Sequence, residues 1–392
     1  MVIIGNGFDL AHGLKTSYND FANYYLEEII VDELLNLDSN SSKKHFLNNK
    51  FVQNKNIIKY KGTTVAFSYN ELELDWLKNL LNHISNQNIN EVLQCLNSNN
   101  DYIKLLISNK LLGKLYSNSF ENWFDIEQAY YEELKGIYNS PKENHNEELD
   151  ILNKNLQEIK EALKKYLNDK IKPTWSGSVN NSFENHFIDR ENISFINFNY
   201  TNTINCYRDL ANINSNIHIH NSLSEDIIFG YGDDTDEMYQ QMKASKNNDF
   251  LKYFKTFDYL KSKNYRKVLN QLAAFKDGYD VLVIGHSLGG TDKTILKTIL
   301  DNNSCQNIEL LKRSDLDSEK EKEDNSFELH ANLARIFDSE ASLRKKVISL
   351  QQSVNFPLMT SIDYTTINER EKELFPRKSN HVTIKTTKTT YK

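Results

Sequence analysis

Short apolar runs separated by helix-like stretches dominate the second half of the chain. The run at 281–284 contains no polar residue, which is typical of a strand buried on both faces of a parallel sheet. Residues 292–303 fit the crossover helix that would follow it. The alternation predicts an α/β fold with a mainly parallel sheet flanked by helices. The runs predicted to be strands are 193–198, 217–220, 227–229, 281–284 and 308–311.

One strand opens the chain, and helical periodicity follows it. Residues 1–4 are apolar and are closed by Gly5-Asn6-Gly7, as in a buried strand that ends in a tight turn. Apolar and aromatic residues then recur every three to four positions, with Lys and Glu between them, as in amphipathic helices. The segments predicted to be helices are 17–37, 71–84, 120–138 and 148–169.

These patterns divide the chain into a discontinuous α/β core and an insertion. The core comprises 1–25 and 190–360, and the insertion, 26–189, is expected to be helical. The charged stretch 312–324 mixes both signs and is expected to be a solvated loop or helix face. The residues 379–392 are rich in Thr and Lys and are expected to form a flexible tail.

Charge and cysteine content exclude several classes of partner. The chain of 392 residues carries 47 Lys and Arg against 54 Asp and Glu, and the basic residues are scattered. We therefore expect no nucleic-acid partner, because a duplex-binding protein needs a basic surface. The three cysteines have no paired spacing, which argues against a disulfide framework or a zinc site. No charged leader precedes an apolar stretch, so we expect a cytoplasmic protein without a membrane partner.

The turn after the first strand is a candidate phosphate-binding loop. Gly5 and Gly7 would let a ligand approach the backbone closely, and amide groups at a helix N-terminus attract a phosphate. The Gly-x-Gly-x-x-Gly fingerprint is incomplete, because Leu10 occupies the third glycine position, and there is no Gly-Lys-Ser/Thr P-loop. A Rossmann dehydrogenase and a P-loop ATPase are therefore disfavoured. A plain tight turn is the alternative interpretation.

Three segments resemble a known family. The stretch Gly5-Asn6-Gly7-Phe8-Asp9-Leu10-Ala11-His12-Gly13-Leu14-Lys15-Thr16-Ser17-Tyr18 is similar to the opening signature of the AbiH family of phage abortive infection proteins. The segment Val283-Ile284-Gly285-His286-Ser287-Leu288-Gly289-Gly290-Thr291-Asp292 resembles an Ile-Gly-His-Ser-Leu…Asp element of the same family. Asn122-Trp123-Phe124-Asp125-Ile126-Glu127 is similar to a third segment, although such a Trp and Glu are usually a core anchor and a solvated partner. The resemblance implies a bacterial anti-phage effector that responds to a phage-derived trigger.

A more distant resemblance is to SIR2-type NAD-binding domains. The opening glycines, with Gly13, correspond to those of a Gly-Ala-Gly-x-Ser…Ser-Gly-Ile-Pro pattern, but its Ser and Pro are absent. Phe198-Asn199-Tyr200-Thr201 resembles a Thr-Thr-Asn-Tyr-Asp motif in which Thr201 replaces the Asp. Ile217-His218-Ile219-His220-Asn221 resembles a Leu-His-Gly element in which Asn221 replaces the glycine. The fold implied is a SIR2-like or Rossmann-like sheet.

This resemblance implies an NAD site and a division of roles. His220 would be the general base, since a neutral imidazole accepts a proton near pH 7. Asn199 would orient the ribose or a water molecule while the nicotinamide glycosidic bond is hydrolysed through an oxocarbenium-like state. No metal is expected. The residues expected to contact the dinucleotide are Gly5, Asn6, Gly7, Phe8, Asp9, His12, Tyr200, Gly285, His286, Ser287 and Asp292.

Several alternatives stay open on the sequence. The same pocket could bind NAD or ADP-ribose as a non-catalytic sensor, and a homo-oligomer is compatible with the pattern. The segment Gly285-His286-Ser287-Leu288-Gly289 also matches the nucleophile elbow of an α/β-hydrolase, although the downstream His330 and His381 lie in an apparent helix and in the tail. His218 and His220 would share one face of a regular strand and could bind a metal, but no third ligand follows at a suitable spacing.

Overall fold

The computed structural model describes most of the α/β core and part of the insertion. The predicted helix at 71–84, the tail at 379–392 and His381 lie outside the described residues. The described residues are 1–26, 58–59, 65–69, 103–107, 109–117, 123–141, 145–172, 178–188, 190–207, 210, 212–312, 325–349, 352–353 and 364–366.

A five-stranded, all-parallel sheet lies at the centre of the fold. Its spatial order is β3-β2-β1-β4-β5 when the strands are numbered along the chain. This order matches the first five strands of the Rossmann order 3-2-1-4-5-6, so the predicted α/β class and parallel sheet are confirmed. The strands are β1 (Val2–Ile4), β2 (Ile193–Asn197), β3 (Ile213–His218), β4 (Tyr279–Ile284) and β5 (Cys305–Leu310).

Helices cover both faces of this sheet. The described helices are α1 (Asn6–Ala11), α2 (Tyr18–Leu26), α3 (Lys110–Ser117), α4 (Trp123–Tyr138), α5 (Asn146–Tyr166), α6 (Asn181–Ile188), α7 (Glu237–Ala244), α8 (Lys255–Lys261), α9 (Lys263–Ala274), α10 (Lys293–Leu300), α11 (Ser326–Ala334) and α12 (Glu340–Lys346). One sheet face packs on α9, α10 and α11, and the opposite face packs on α1 and α6. The strands β1 and β2 are buried throughout because both of their faces are covered.

The helices α4 and α5 confirm two of the helices predicted in the insertion. Their apolar faces share one hydrophobic core with residues 227–254 of the α/β part. Tyr131 of α4 stacks on Tyr231, with 3.6 Å between the ring centroids. This packing brings α4 over the carboxyl ends of the sheet strands. No helix among the described residues is long and apolar enough to cross a membrane.

Two of the predicted strands differ in the structure. The strand β3 ends at His218, so His220 lies in the turn beyond it. Residues 227–229 are buried but form no strand, because an apolar run of three residues specifies burial and not pairing.

The insertion contains strands as well as helices. The first three pair in an antiparallel sheet, and the fourth pairs with a strand late in the chain. These strands are Ile58–Lys59, Val65–Tyr69, Ile103–Ile107 and Ser178–Asn180, the last pairing with Tyr364–Thr366.

Candidate functional site

A cavity of about 480 Å³ lies at the carboxyl ends of β1, β2 and β4. The strand order reverses between β1 and β4, which is where parallel α/β sheets bind their ligands. Side chains from α4 and α5 complete its wall. Apart from Phe8 and His12, all the site residues predicted from the sequence line this cavity. They are Gly5, Asn6, Gly7, Asp9, Asn199, Tyr200, His220, Gly285, His286, Ser287 and Asp292.

The turns after β1 and β4 are in direct contact. Gly7 N–H donates to Gly285 O at 2.9 Å, and a Cβ on Gly285 would lie 2.5 Å from Phe8 N. Gly285 has a φ of +64°, which glycine adopts without steric cost. A Cβ on Gly5 would lie 2.7 Å from His286 Cα. The glycines therefore allow two turns to pack, and the Gly7 amide is bonded within the protein instead of being free for a phosphate.

Phe8 and His12 lie behind the turn, away from the cavity. They are four residues apart on α1 and so share the face that packs on the core. The two ring nitrogens of His12 hydrogen-bond to Phe8 O and to the Tyr207 hydroxyl, each at 2.7 Å. Burial lowers the pKa of His12 to about 4, so the ring is neutral. The structure gives both side chains a packing role where ligand contacts were predicted.

Asp9 ties the first turn to the loop after β2. Its carboxyl group accepts hydrogen bonds from Thr201 Oγ1 at 2.5 Å and from Asn199 Nδ2 at 3.3 Å. Asn199 Nδ2 also donates to Gly5 O at 2.9 Å. Burial raises the pKa of Asp9 to about 6, against the opposing effect of hydrogen bonds from Thr201 and Thr203. The Asn199 amide nitrogen is thus committed to the cavity wall, and its role toward a ligand stays a prediction.

His220 enters the cavity from the turn after β3 and is held by a buried carboxylate. Its Nε2 lies 3.0 Å from Asp292 Oδ1 and 3.3 Å from the Tyr259 hydroxyl. Burial lowers the pKa of His220, although the Asp292 carboxylate acts in the opposite direction, so the ring is neutral near pH 7. Because Nε2 faces Asp292, Nδ1 is the ring nitrogen left to accept a proton from a ligand.

Lys255 and Glu127 extend this pair into a buried charge network. Lys255 Nζ donates to Asp292 Oδ1 at 2.7 Å and to Glu127 Oε2 at 2.9 Å. Glu127 also accepts hydrogen bonds from Thr291 Oγ1 at 2.6 Å and from Gly230 N–H at 3.0 Å. Burial raises the pKa of Glu127 to about 6. Burial also acts to raise the pKa of Asp292, but the charge of Lys255 together with His220 and the hydrogen bond from His286 holds it well below its usual range.

The sequence pointed weakly to Glu127 and not at all to Lys255. The resemblance of 122–127 to an AbiH segment was the signal for Glu127, and here the carboxylate is buried instead of solvated. Lys255 belongs to a stretch rich in lysine, where solvated side chains are the usual interpretation. Its partner Glu127 is 128 positions away, so no local spacing could reveal the pair.

The serine hydrolase alternative lacks a base in this geometry. His286 Nδ1 accepts the Leu288 N–H at 2.9 Å, which directs Nε2 toward Asp292 Oδ2, 3.7 Å away. Ser287 is exposed, and within the described part of the chain its hydroxyl makes no hydrogen bond to a histidine. The positive φ of this turn falls on Gly285 and Leu288, whereas a nucleophile elbow places its strain at the serine.

The two histidines near β3 do not form a metal site. His218 Nδ1 hydrogen-bonds to Asn199 O at 2.9 Å, while His220 faces Asp292. Because the strand ends between them, the regular alternation that would align their side chains is lost. Over the residues that the structure describes, no group of three His, Cys, Asp or Glu side chains could hold a metal ion.

Comparison with known proteins agrees with the opening motif. The family model described as bacteriophage abortive infection AbiH matches residues 1–312. Comparisons with curated proteins and with solved structures returned no match. The matched region contains the five sheet strands and the network of Glu127, Lys255, Asp292 and His220. Since the match covers most of the chain, this protein belongs to the bacteriophage abortive infection family AbiH.

Proposed function

We propose that this protein acts in phage defence by hydrolysing the nicotinamide glycosidic bond of NAD in the cavity between β1 and β4. Membership of the AbiH family implies the abortive infection role. Destruction of NAD would stop the metabolism of an infected cell, which is the outcome that abortive infection requires. The dinucleotide and its cleavage are inferences from the site.

The observation that carries the proposal is the His220–Asp292 pair in the wall of the same cavity as the glycine turn. Nε2 of His220 lies 3.0 Å from Asp292 Oδ1, and Gly5 and Gly7 of the turn after β1 line the same cavity. A carboxylate on one imidazole nitrogen fixes the tautomer and stabilises the imidazolium that forms when the other nitrogen takes a proton. The pair is therefore suited to general-base chemistry.

The size and position of the cavity fit a nucleotide. Its volume of about 480 Å³ lies within the range of small-molecule sites, roughly 300–1,000 Å³. It also lies where the strand order reverses, the position at which Rossmann-like sheets bind dinucleotides. The buried cluster beside His220 has two carboxylates, Asp292 and Glu127, against the one ammonium group of Lys255, and this excess of negative charge would favour the cationic pyridinium end of NAD.

The reaction needs one base and no acid. The bond between the nicotinamide nitrogen and the ribose breaks, nicotinamide leaves as a neutral molecule, and water adds to the oxocarbenium-like carbon. Nδ1 of His220 takes the proton released from the water or from a ribose hydroxyl. Asp292 stabilises the imidazolium through Nε2. The products are ADP-ribose and nicotinamide.

Product analysis tests the proposal. Full-length protein would be incubated with NAD, with and without extract from phage-infected cells, and released nicotinamide quantified by chromatography. We expect His220→Ala to lower the rate by about 100-fold or more. His186→Ala is the matched control, because His186 lies on α6 outside the cavity. Full activity in His220→Ala would overturn the assignment of the base.

A second candidate function is a nucleotide sensor that binds NAD or ADP-ribose without cleaving it. The observation that favours it is the contact of Glu127 with Lys255, which links the cavity wall to α4 outside the sheet. A sensor would show a higher melting temperature with NAD while the NAD stays intact. The same incubation therefore separates the two functions.

A further inference from the structure

A fully buried lysine, Lys255, connects the insertion to the Asp292–His220 pair in the cavity wall. The side chain of Lys255 is 1% exposed, and its ammonium group lies between the carboxylates of Glu127 and Asp292. An isolated ammonium group in such a place would lose its charge, so the two carboxylates keep it protonated. Although burial acts to lower it, the pKa of Lys255 is raised by Asp292 and Glu127. Lys255 is therefore a fixed internal cation.

One oxygen atom receives both this cation and the histidine. Asp292 Oδ1 accepts the Lys255 ammonium at 2.7 Å and lies 3.0 Å from His220 Nε2. The positive charge of Lys255 partly compensates the negative potential that Asp292 exerts at His220. A closer Lys255–Asp292 contact makes that potential less negative, and a looser contact makes it more negative.

The backbone around 230–232 fixes the position of the lysine. Lys255 N–H donates to Tyr231 O at 2.8 Å, and Gly230 N–H donates to Glu127 Oε1 at 3.0 Å. A Cβ on Gly232 would lie 2.5 Å from Thr291 O and 3.2 Å from Lys255 Cδ. The segment thus holds both ends of the Glu127–Lys255 pair.

We propose that Lys255 and Glu127 are positioning residues that set the orientation and charge of Asp292 toward His220, so that helix α4 of the insertion controls the base. The part of this inference that concerns reaction rate rests on the proposed NAD hydrolysis. The part that concerns His220 itself does not. Neither Lys255 nor Glu127 needs to touch the ligand.

The network predicts opposite effects for its two new members. The charged and titratable groups that face His220 are Asp292, Lys255, His286 and Tyr259. Removing the charge of Lys255 strengthens the effect of Asp292 on His220 and raises the pKa of His220. Removing the charge of Glu127 leaves Lys255 to Asp292 alone, compensates more of the Asp292 charge, and lowers the pKa of His220.

Titration of labelled histidine by NMR tests this directly in the full chain. We expect Lys255→Met to raise the pKa of His220 by about 1 unit and Glu127→Gln to lower it. Lys261→Met is the control, since Lys261 lies on the same helix, is exposed and pairs with Asp258 at 2.8 Å. Its His220 titration should match that of the wild type. Shifts of the same sign in both variants, or no shift, would overturn the proposal.

Two further measurements separate folding and function from the inference. If Lys255→Met does not fold, Lys255→Arg keeps the positive charge and Glu127→Gln keeps the side-chain shape, so the sign of the Glu127→Gln shift still decides. In an NAD hydrolysis assay, the acid limb of the pH–rate profile should move to higher pH in Lys255→Met, which loses the positive charge, and to lower pH in Glu127→Gln. It should stay in place in Lys255→Arg, which keeps the charge. Opposite NMR shifts without any NAD cleavage would uphold the network and reject the proposed reaction.

Discussion

Thr201 Oγ1 donates a 2.5 Å hydrogen bond to the buried carboxyl group of Asp9 across 192 positions of sequence. Thr201 occupies the position at which the SIR2-like pattern has an Asp. A carboxylate there would face Asp9 at hydrogen-bonding distance and leave two like charges in a buried site. A threonine at this position therefore suits the buried carboxyl group of Asp9, because it donates a hydrogen bond and adds no second charge.

We expect substitutions of Thr201 to reduce stability in a graded way. Thr201→Val leaves a buried acceptor without its donor and should cost about 1–3 kcal/mol in the free energy of unfolding. Thr201→Asp should cost more at pH 8, where both carboxyl groups would ionise, than at pH 5. Urea denaturation at the two pH values measures both effects. In the control Thr235→Val, an exposed threonine loses a similar 2.5 Å bond to Asp233, and the cost should be smaller.

Asp9 should make the stability of the fold depend on pH. Burial raises its folded pKa to about 6 from an ordinary value of 3.8, so the folded state holds the proton more tightly. The contribution of Asp9 to the free energy of unfolding is fully present below about pH 4 and is lost as the pH rises through 6. Asp9→Asn cannot ionise, so its melting temperature relative to wild type should be more favourable at pH 8 than at pH 5.

Thermal melts of both proteins at the two pH values measure this difference. The exposed Asp338, which pairs with Lys297 at 2.6 Å, provides the control variant Asp338→Asn. If the difference in melting temperature between Asp9→Asn and wild type were the same at both pH values, it would contradict a buried Asp9 carboxyl group with a raised pKa.

The contact between the two glycine turns predicts a position-specific loss of stability. Gly285→Ala places a Cβ 2.5 Å from Phe8 N on a residue with a φ of +64°, and should destabilise the fold by more than about 1 kcal/mol. Gly136→Ala on α4 meets nothing within 4 Å and should stabilise it by up to about 1 kcal/mol. Chemical denaturation of the two variants checks the contrast, and equal effects would argue against it.

Fluorophosphonate labelling tests the remaining hydrolase alternative. The exposed Ser287 has no histidine on its hydroxyl among the described residues, so we expect no covalent adduct. Mass spectrometry of the treated protein detects an adduct at a single residue. Labelling that disappears in Ser287→Ala would show that the serine is activated and would favour hydrolase chemistry.

Asn221 shows how far the sequence comparison reached. It replaces the glycine of the Leu-His-Gly pattern and has a φ of +63°, a left-handed conformation that Asn tolerates better than most residues. Its side chain also accepts from Ser262 Oγ at 2.9 Å and donates to Asp226 O at 2.7 Å. The sequence showed the substitution, and the structure shows that Asn221 adopts a left-handed backbone conformation that glycine also adopts readily.

The sequence by itself determined the parallel sheet, the glycine turns at the ends of β1 and β4, and the family. Strands covered on both faces need uninterrupted apolar runs, and turns in close contact need glycine, so both leave local marks in the order of residues. The packing role of Phe8 and His12 was not predicted, because their motif does not specify which face of α1 packs on the core. Only the tertiary structure decided that Glu127, Lys255, Asp292 and His220 share one buried network. Ion pairs between distant segments depend on how the chain folds back on itself, and they have no period or spacing to detect.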